Sequence, residues 1–526
     1  MASPSDKLAN SLSLLKVLLD DGKVAIRAND LTRIHRERLV KYGFLQEVMK
    51  GWYVPARPDD TAGESTGWYA SFWGFCADYL NTRFGDEWCL NPEQSISLHA
   101  GDWSVPPQLL VRSPKGGNKP TGLLYGTSIF DVRLALPAKA AIEIKRDLRA
   151  MKLPAALIAC GPGDFASRPI TTRAALAMIR DASEILSGLL SGGHSKIAGR
   201  LAGAFRNIGR TKIADDILAT MRTAGYTVQE SNPFTDVTSV TFNAREKSPY
   251  VTRMRMMWAA MRGDVLQHFP APPGLPTDKR AYLHQVDGIY VSDAYNSLSI
   301  EGYRVSTALI ERVRSGNRNP DNDENDALGP DRENRNALAA RGYWQAFQYV
   351  KDSVEKVLAN QNAGAVADAD HGNWYRELFG PSVTAGIIQP ADLAGYRNGP
   401  VYIRRSMHVP PSCEAVRDLI PAFFELLQTE AEPAVRAVLG HFMFVYIHPY
   451  FDGNGRMGRF LMNVMLASGG YPWTIVLLDR RDDYMAALES ASVKQDVKPF
   501  AIYLSDLVNH TRMTTHGANY QPSAAR

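Results

Sequence analysis

The sequence predicts a multidomain, mainly α protein, and three observations carry that expectation. At 526 residues the chain is long enough for two or three domains, each with its own core. Residues from about 280 to 510 read as helix-rich, whereas residues 58 to 170 carry many Pro and Gly between short apolar alternations. The first 57 residues have a third texture, two helical stretches followed by a basic one and a hairpin.

Taken in order, a helix is expected near Leu8 to Leu19, where the short apolar run broken by Lys16 reads as amphipathic rather than as a signal peptide. Leu31 to Tyr42 follows with Arg33, Arg36, Arg38 and Lys41. Phe44 to Val54 then reads as two short strands around Lys50-Gly51. Helix, helix, basic helix and hairpin is the order of a winged helix-turn-helix, assigned to residues 1–57. Such a unit can set a helix in the DNA major groove and basic residues on phosphates, or can bind a protein instead. Residues 58–230 are expected to form a small α/β module. Gln108 to Arg112 and Leu123 to Leu136 are its strand candidates, and residues 172 to 225 read as three helices broken at Gly192-Gly193 and Gly209. Residues 231–280 read as a linker or packing segment. Residues 281–515 form the last, all-α domain, interrupted by an Asn/Asp/Arg/Gly-rich surface loop from Arg312 to Arg335. The chain beyond His510 is polar and expected to fray.

Four scattered cysteines, Cys76, Cys89, Cys160 and Cys413, show neither metal spacing nor a disulfide framework. With no long apolar run, the expected location is the cytoplasm and no membrane partner is expected. A net charge of +4 over this length does not by itself imply nucleic acid.

The chemistry concentrates in His448-Pro-Tyr-Phe-Asp-Gly-Asn-Gly-Arg-Met-Gly-Arg459. Apolar runs lead in (Phe442 to Ile447) and out (Phe460 to Ala467), so this polar loop joins two buried helices. A helix beginning near Arg456 would present unpaired backbone N–H groups of Gly453, Asn454 and Gly455 to an anion. Arg456 and Arg459 lie three apart on one helical face and can fork onto phosphate oxygens. Asp452 is a hard oxygen ligand of the kind nucleotide-bound Mg²⁺ needs only once or twice. His448 can take a proton near neutral pH. Each feature alone is ordinary: a turn, a structural histidine, a solvated basic face. Their concentration in a dozen residues is not explained by turn chemistry.

This segment resembles the signature of the Fic family, His-Pro-Phe-x-Asp/Glu-Gly-Asn-Gly-Arg-x-x-Arg, with Tyr450 in place of the usual Phe. The resemblance implies a C-terminal all-α Fic core with a β-hairpin flap. It also implies an activity, transfer of AMP from ATP to a Tyr, Thr or Ser hydroxyl of a target protein or of the chain itself. On that reading His448 is the general base and Asp452 holds Mg²⁺. Gly453, Asn454 and Gly455 cradle the α- and β-phosphates, and Arg456 and Arg459 address the outer ones. Retention of Gly455 separates the chain from the phosphorylating relatives, which carry a bulkier residue there. Tyr484 to Glu489 resembles the family's continuation, where the base is held.

Ser297-Leu-Ser-Ile-Glu301-Gly302 resembles the family's inhibitory pattern, in which the glutamate pairs with the second signature arginine, here Arg459. Such a glutamate can also position water for the reverse reaction, deAMPylation. Gly395 to Pro411 resembles the flap that aligns a target by strand addition, with strands expected at Val401, Tyr402 and Ile403 and at Met407, His408 and Val409. His408 is expected on the flap surface. His441 is expected to give packing support rather than catalysis.

Residues 8 to 230, with Trp88 to His99, resemble the DNA-binding antitoxin half of AbiE-type abortive-infection systems. That leaves an alternative to the enzyme, a DNA-binding, antitoxin-like transcriptional regulator whose Fic core senses nucleotide or is silent. The expected partners are an unidentified target protein, DNA through residues 1–57 and a second copy of the chain in a homodimer.

Overall fold

A computed structural model describes residues 3–58, 65–234, 248–316 and 332–516. The chain divides into two units. One comprises Met1–Arg253 together with Tyr402–Val409, the other Met254–Val401 together with Pro410–Arg526.

In the first unit, Ser3 and Asp6 close a capping box on the helix Pro4–Asp20. A three-stranded antiparallel sheet follows, with Trp52–Pro55 central between Ile26–Arg27 and Leu45–Met49. Leu15, Ile26, Leu31, Leu39 and Leu45 form its small core. Two helices, not three, accompany the hairpin, the second being Arg33–Lys41. Two of its cations, Arg36 and Arg38, are half-buried, whereas Arg33 and Lys41 stay exposed. Arg38 donates to the Lys7 carbonyl (2.9 Å) and Ser11 Oγ (2.8 Å). Arg36 donates to the Ala28 carbonyl (2.6 Å) and lies over the Tyr53 ring, while Arg33 pairs with Glu37 at 2.6 Å.

The next layer is built on a helix the sequence reading missed, Thr66–Phe84. Aromatic and apolar on nearly every side, it shows no period to read, and it is buried all round for the same reason. Trp68, Phe72, Trp73, Phe75, Tyr79, Trp88 and Trp103 make its core. A four-stranded sheet follows, ordered Cys89–Leu90, Gln108–Ser113, Ser128–Arg133, Pro120–Gly122, with the two central strands parallel. Residues 169–223 form four helices rather than three. The breaks at Gly192-Gly193 and Gly209 are present, and a further one falls at 178–182.

The segment Tyr402–Val409 belongs to this unit and is not a hairpin. The Met407 carbonyl accepts from the Val105 N–H (2.8 Å), and the Arg405 N–H donates to Thr66 Oγ1 (3.1 Å). These backbone groups are therefore engaged outside any pairing of 401–403 with 407–409. Met407 and Val409 pack on the aromatic core, and His408, expected on the surface, is 2% exposed.

The stretch 231–280 contains the helix Pro249–His268, and the boundary between the units falls inside it. The second unit is all-helical among its described residues, with Lys279–Ile300, Thr307–Arg314, Arg332–Leu358, Ala363–Thr384, Cys413–Thr429, Pro433–Ile447, Asn454–Ala467, Arg481–Glu489 and Lys498–His516 as its main helices. Most of the Arg312–Arg335 loop lies outside the described residues. Beyond His510 the chain stays helical to His516, and the remainder lies outside the description. All four cysteines are free thiols, and no helix among the described residues is long and apolar enough to cross a membrane.

Candidate active site

The His448–Arg459 loop joins the buried helices Pro433–Ile447 and Asn454–Ala467. Two left-handed residues make the connection. His448 ends the first helix at φ 52°, ψ 60°, and Gly453 precedes the second at φ 79°. Between them Asn454 braces the loop, its amide oxygen accepting from the Tyr450 N–H (2.9 Å) and its NH₂ donating to the Tyr450 carbonyl (2.8 Å). Tyr450 is 2% exposed and stacks on Tyr375 at 3.8 Å, the aromatic anchor that the substitution for Phe implied.

No side chain caps the Asn454 helix, so its first N–H groups and the positive end of its dipole are left to an anion. Gly453 contributes differently from the expectation, because its N–H already donates to Asp452 Oδ1 at 2.6 Å. Arg456 is 1% exposed, packed on Phe379 and Tyr303, and 3.3 Å from Asp452 Oδ2. The Asp452 side chain is otherwise 64% exposed. The described residues contain no cluster of three or more metal-binding side chains. A single exposed carboxylate beside an open helix start does fit a cation that arrives with phosphates and keeps most of its other ligands there.

His448 lies at the entry of this loop. Its Nδ1 is 3.1 Å from the Val445 carbonyl, which assigns the proton to Nδ1 and leaves the Nε2 lone pair available. The imidazole is lowered to about 4, chiefly by desolvation and to a lesser degree by the Arg397 guanidinium. The Val445 carbonyl, Glu301 and Asp452 act the other way. At pH 7 the ring is therefore neutral and able to accept a proton, with a wider margin than an unperturbed histidine has.

Arg459 is engaged by Ser297 and Glu301 beside the first turn of the helix. Its Nε donates to Ser297 Oγ (2.9 Å), and its Nη2 donates to the Ser297 carbonyl (3.1 Å) and Glu301 Oε1 (2.7 Å). Arg459 is 4% exposed and Glu301 25%, so the pair is mostly dehydrated. Ser297 sits in the helix Lys279–Ile300, and Glu301 is its C-cap residue. Gly455 is tied to the same contact, since a Cβ there would run into Glu301 Oε1.

Two groups at this site, Arg397 and Asp293, escaped the sequence reading. Arg397 donates from Nε to the His448 carbonyl (2.7 Å) and from its backbone N–H to the Pro449 carbonyl (2.9 Å). Its sequence signal was slight, an arginine inside the Gly-rich 395–399 stretch. Asp293 is buried one turn before Ser297, where Tyr343 donates to it at 2.7 Å. Burial raises this carboxyl to about 6, against the lowering effects of Tyr343, Trp473 and Arg459. Tyr484 is 2.8 Å from Nε2 of His441, which is fully buried and held down to about 3, chiefly by desolvation.

Residues 373–466, which span the Arg397 stretch and the whole loop, match the Fic/DOC family. The curated protein adenylyltransferase Fic of Nematostella vectensis is 28% identical over 251 residues, covering 46% of this chain and 52% of that protein. That of Drosophila willistoni is 27% identical over 230 residues, covering 42% and 41% respectively. The chain thus spans about half the length of these curated relatives, or less. A solved fragment of Fic-1 from C. elegans is 17% identical with a TM-score of 0.38, covering 64% of this chain and 92% of that one.

Proposed function

We propose that the protein is a Fic-type nucleotidyltransferase that moves AMP from ATP to a Tyr, Thr or Ser hydroxyl of a protein, its own chain included, and that it rests in a self-inhibited state. The observation that carries this reading is the juxtaposition around one uncapped helix start. A neutral, tautomer-fixed His448 stands before it and two buried arginines stand on it, one of them held by Glu301.

The chemistry follows from the groups present. The incoming hydroxyl oxygen forms a bond to the α-phosphorus of ATP as its proton passes to His448 Nε2. The bond from the α-phosphorus to the bridging oxygen breaks, and pyrophosphate leaves. Such transfers depend on position and charge neutralisation more than on covalent chemistry. The first turn of the Asn454 helix and Arg456 receive phosphate oxygens. Asp452 would hold the Mg²⁺ that accompanies the nucleotide and helps neutralise its charge. Arg459 joins them only after leaving Ser297 and Glu301. With nucleotide absent and a modified protein bound, Glu301 would orient the water that attacks the phosphorus and releases AMP from the target hydroxyl.

The test is mass spectrometry of wild type, Glu301→Gly and Glu301→Gly/His448→Ala after incubation with ATP and Mg²⁺. The single variant should gain AMP, and wild type and the double variant should not. A gain that persists without His448 would remove the proposed base.

A further inference from the structure

We infer that Arg397 is the positioning residue of His448: its fork fixes the strained backbone from which the imidazole projects. The inference rests on the reading of His448 as the base of nucleotidyl transfer.

The histidine needs such a support. A non-glycine residue in the left-handed region is held there only when its surroundings over-determine it. The His448 N–H is fixed by the Phe444 carbonyl at 3.0 Å, the last bond of its helix. On the other side of the residue, among the described residues, the backbone is fixed by Arg397. Nε donates to the His448 carbonyl (2.7 Å), the backbone N–H to the Pro449 carbonyl (2.9 Å), and Nη2 reaches toward the Ile447 carbonyl (3.5 Å). Three consecutive carbonyls therefore face one arginine. The remaining donors go to Gly399 (2.9 Å from Nη1) and to the Pro411 carbonyl, at the two ends of the 400–410 segment. A planar guanidinium with five donors in fixed directions can serve this set of acceptors, and an ammonium cannot.

Its surroundings mark it as more than filler. Arg397 is 1% exposed and, among the described residues, forms no ion pair. Burial brings it down to about 10, with Cys413 and Glu414 as the groups that raise it. A buried cation satisfied by carbonyls alone is costly to hold. The same volume filled by an apolar side chain would keep the backbone bond to Pro449 but leave the His448, Gly399 and Pro411 carbonyls, and with them the direction of the His448 Cα–Cβ bond, without the guanidinium's restraint. With Val445 fixing Nδ1, the Arg397 fork completes the aim of Nε2.

The experiment uses the full chain in the Glu301→Gly background, comparing Arg397→Gln and Arg397→Lys. A base misplaced by about an ångström loses about 10²-fold in rate, so kcat for AMP transfer should fall by about that factor in Arg397→Gln while KM for ATP stays within about twofold. Arg397→Lys keeps a charge and loses the fork, and its kcat should fall by a smaller factor. The groups facing the ring besides Arg397 are Val445, Glu301 and Asp452. With Glu301 absent from parent and variant alike, the acid limb of the rate should move up in Arg397→Gln. An unchanged kcat in either variant, or a loss carried by KM, overturns the inference. If Arg397→Gln does not fold, Arg397→Lys decides. If the Glu301→Gly parent itself transfers no AMP, the functional reading fails instead. Arg397 is then judged from the ¹⁵N spectrum of His448 in Arg397→Lys: a shifted tautomer balance supports the clamp, and an unchanged one refutes it.

Discussion

Replacing Glu301 by glycine is the perturbation whose size follows most directly from the geometry. The residue is the C-cap of its helix, at φ −78° and ψ −1°, so glycine there carries no helix-interior penalty. What is lost is one charge-assisted hydrogen bond of 2.7 Å to an arginine that is 4% exposed. Bonds of that kind contribute about 1.5–3 kcal/mol net. The Ser297 bonds to Arg459 remain, so the gain is limited to the glutamate's share. With about 1.4 kcal/mol per decade, ATP should bind about 10- to 150-fold more tightly once Arg459 is free to turn toward it. Titration calorimetry with ATP and Mg²⁺ reads this directly, with Glu301→Gln as the variant that keeps the shape and loses the charge. Because the pair is mostly dehydrated, the ratio of wild-type to variant Kd should change little between low and moderate salt. A Kd within about twofold of wild type would refute the argument, since Arg459 would then be no longer engaged in solution.

Two further outcomes follow from the same site. The base must be neutral to accept a proton, and Glu301→Gly also removes a carboxylate that raises the imidazole, so AMP transfer by this variant should stay flat from pH 8 down to about 5.5 and fall only as pH approaches or passes below the value of about 4 held by His448 with Glu301 present. A midpoint near 6.5 in the rate profile would mean that the ring is not desolvated as described. Gly455→Ala places a methyl against Glu301 Oε1. It should destabilise wild type by about 1–3 kcal/mol and the Glu301→Gly protein by less, and strictly additive thermal unfolding shifts would show that the two positions do not touch.

What could be read from the sequence depended on whether the determining contacts were local. The His448–Arg459 loop holds its donors, turn and bracing amide within one run, so its parts could be assigned from residue chemistry. The Ser297–Glu301 spacing was visible for the same reason. Arg397 was not, because what it does lies 51 residues away, on carbonyls, which have no sequence identity. The helix Thr66–Phe84 was hidden by its own burial, and Arg36 and Arg38 looked like surface cations because their partners are backbone oxygens and a neighbouring ring. The 401–409 stretch misled for a related reason. Alternating Met407 and Val409 fit a hairpin strand equally well as a pair of side chains sinking into a core formed far upstream.

That last packing has a consequence for the order in which the chain can mature. The unit that begins at the N-terminus is completed by residues made about 150 positions after it otherwise ends. At about 5–20 residues per second, roughly 8–30 s of synthesis separate Arg253 from Val409. During that interval the aromatic surface awaiting Met407 and Val409 stays open, while helices of the other unit are already emerging. For that interval the nascent chain carries two unfinished cores rather than one finished domain followed by another.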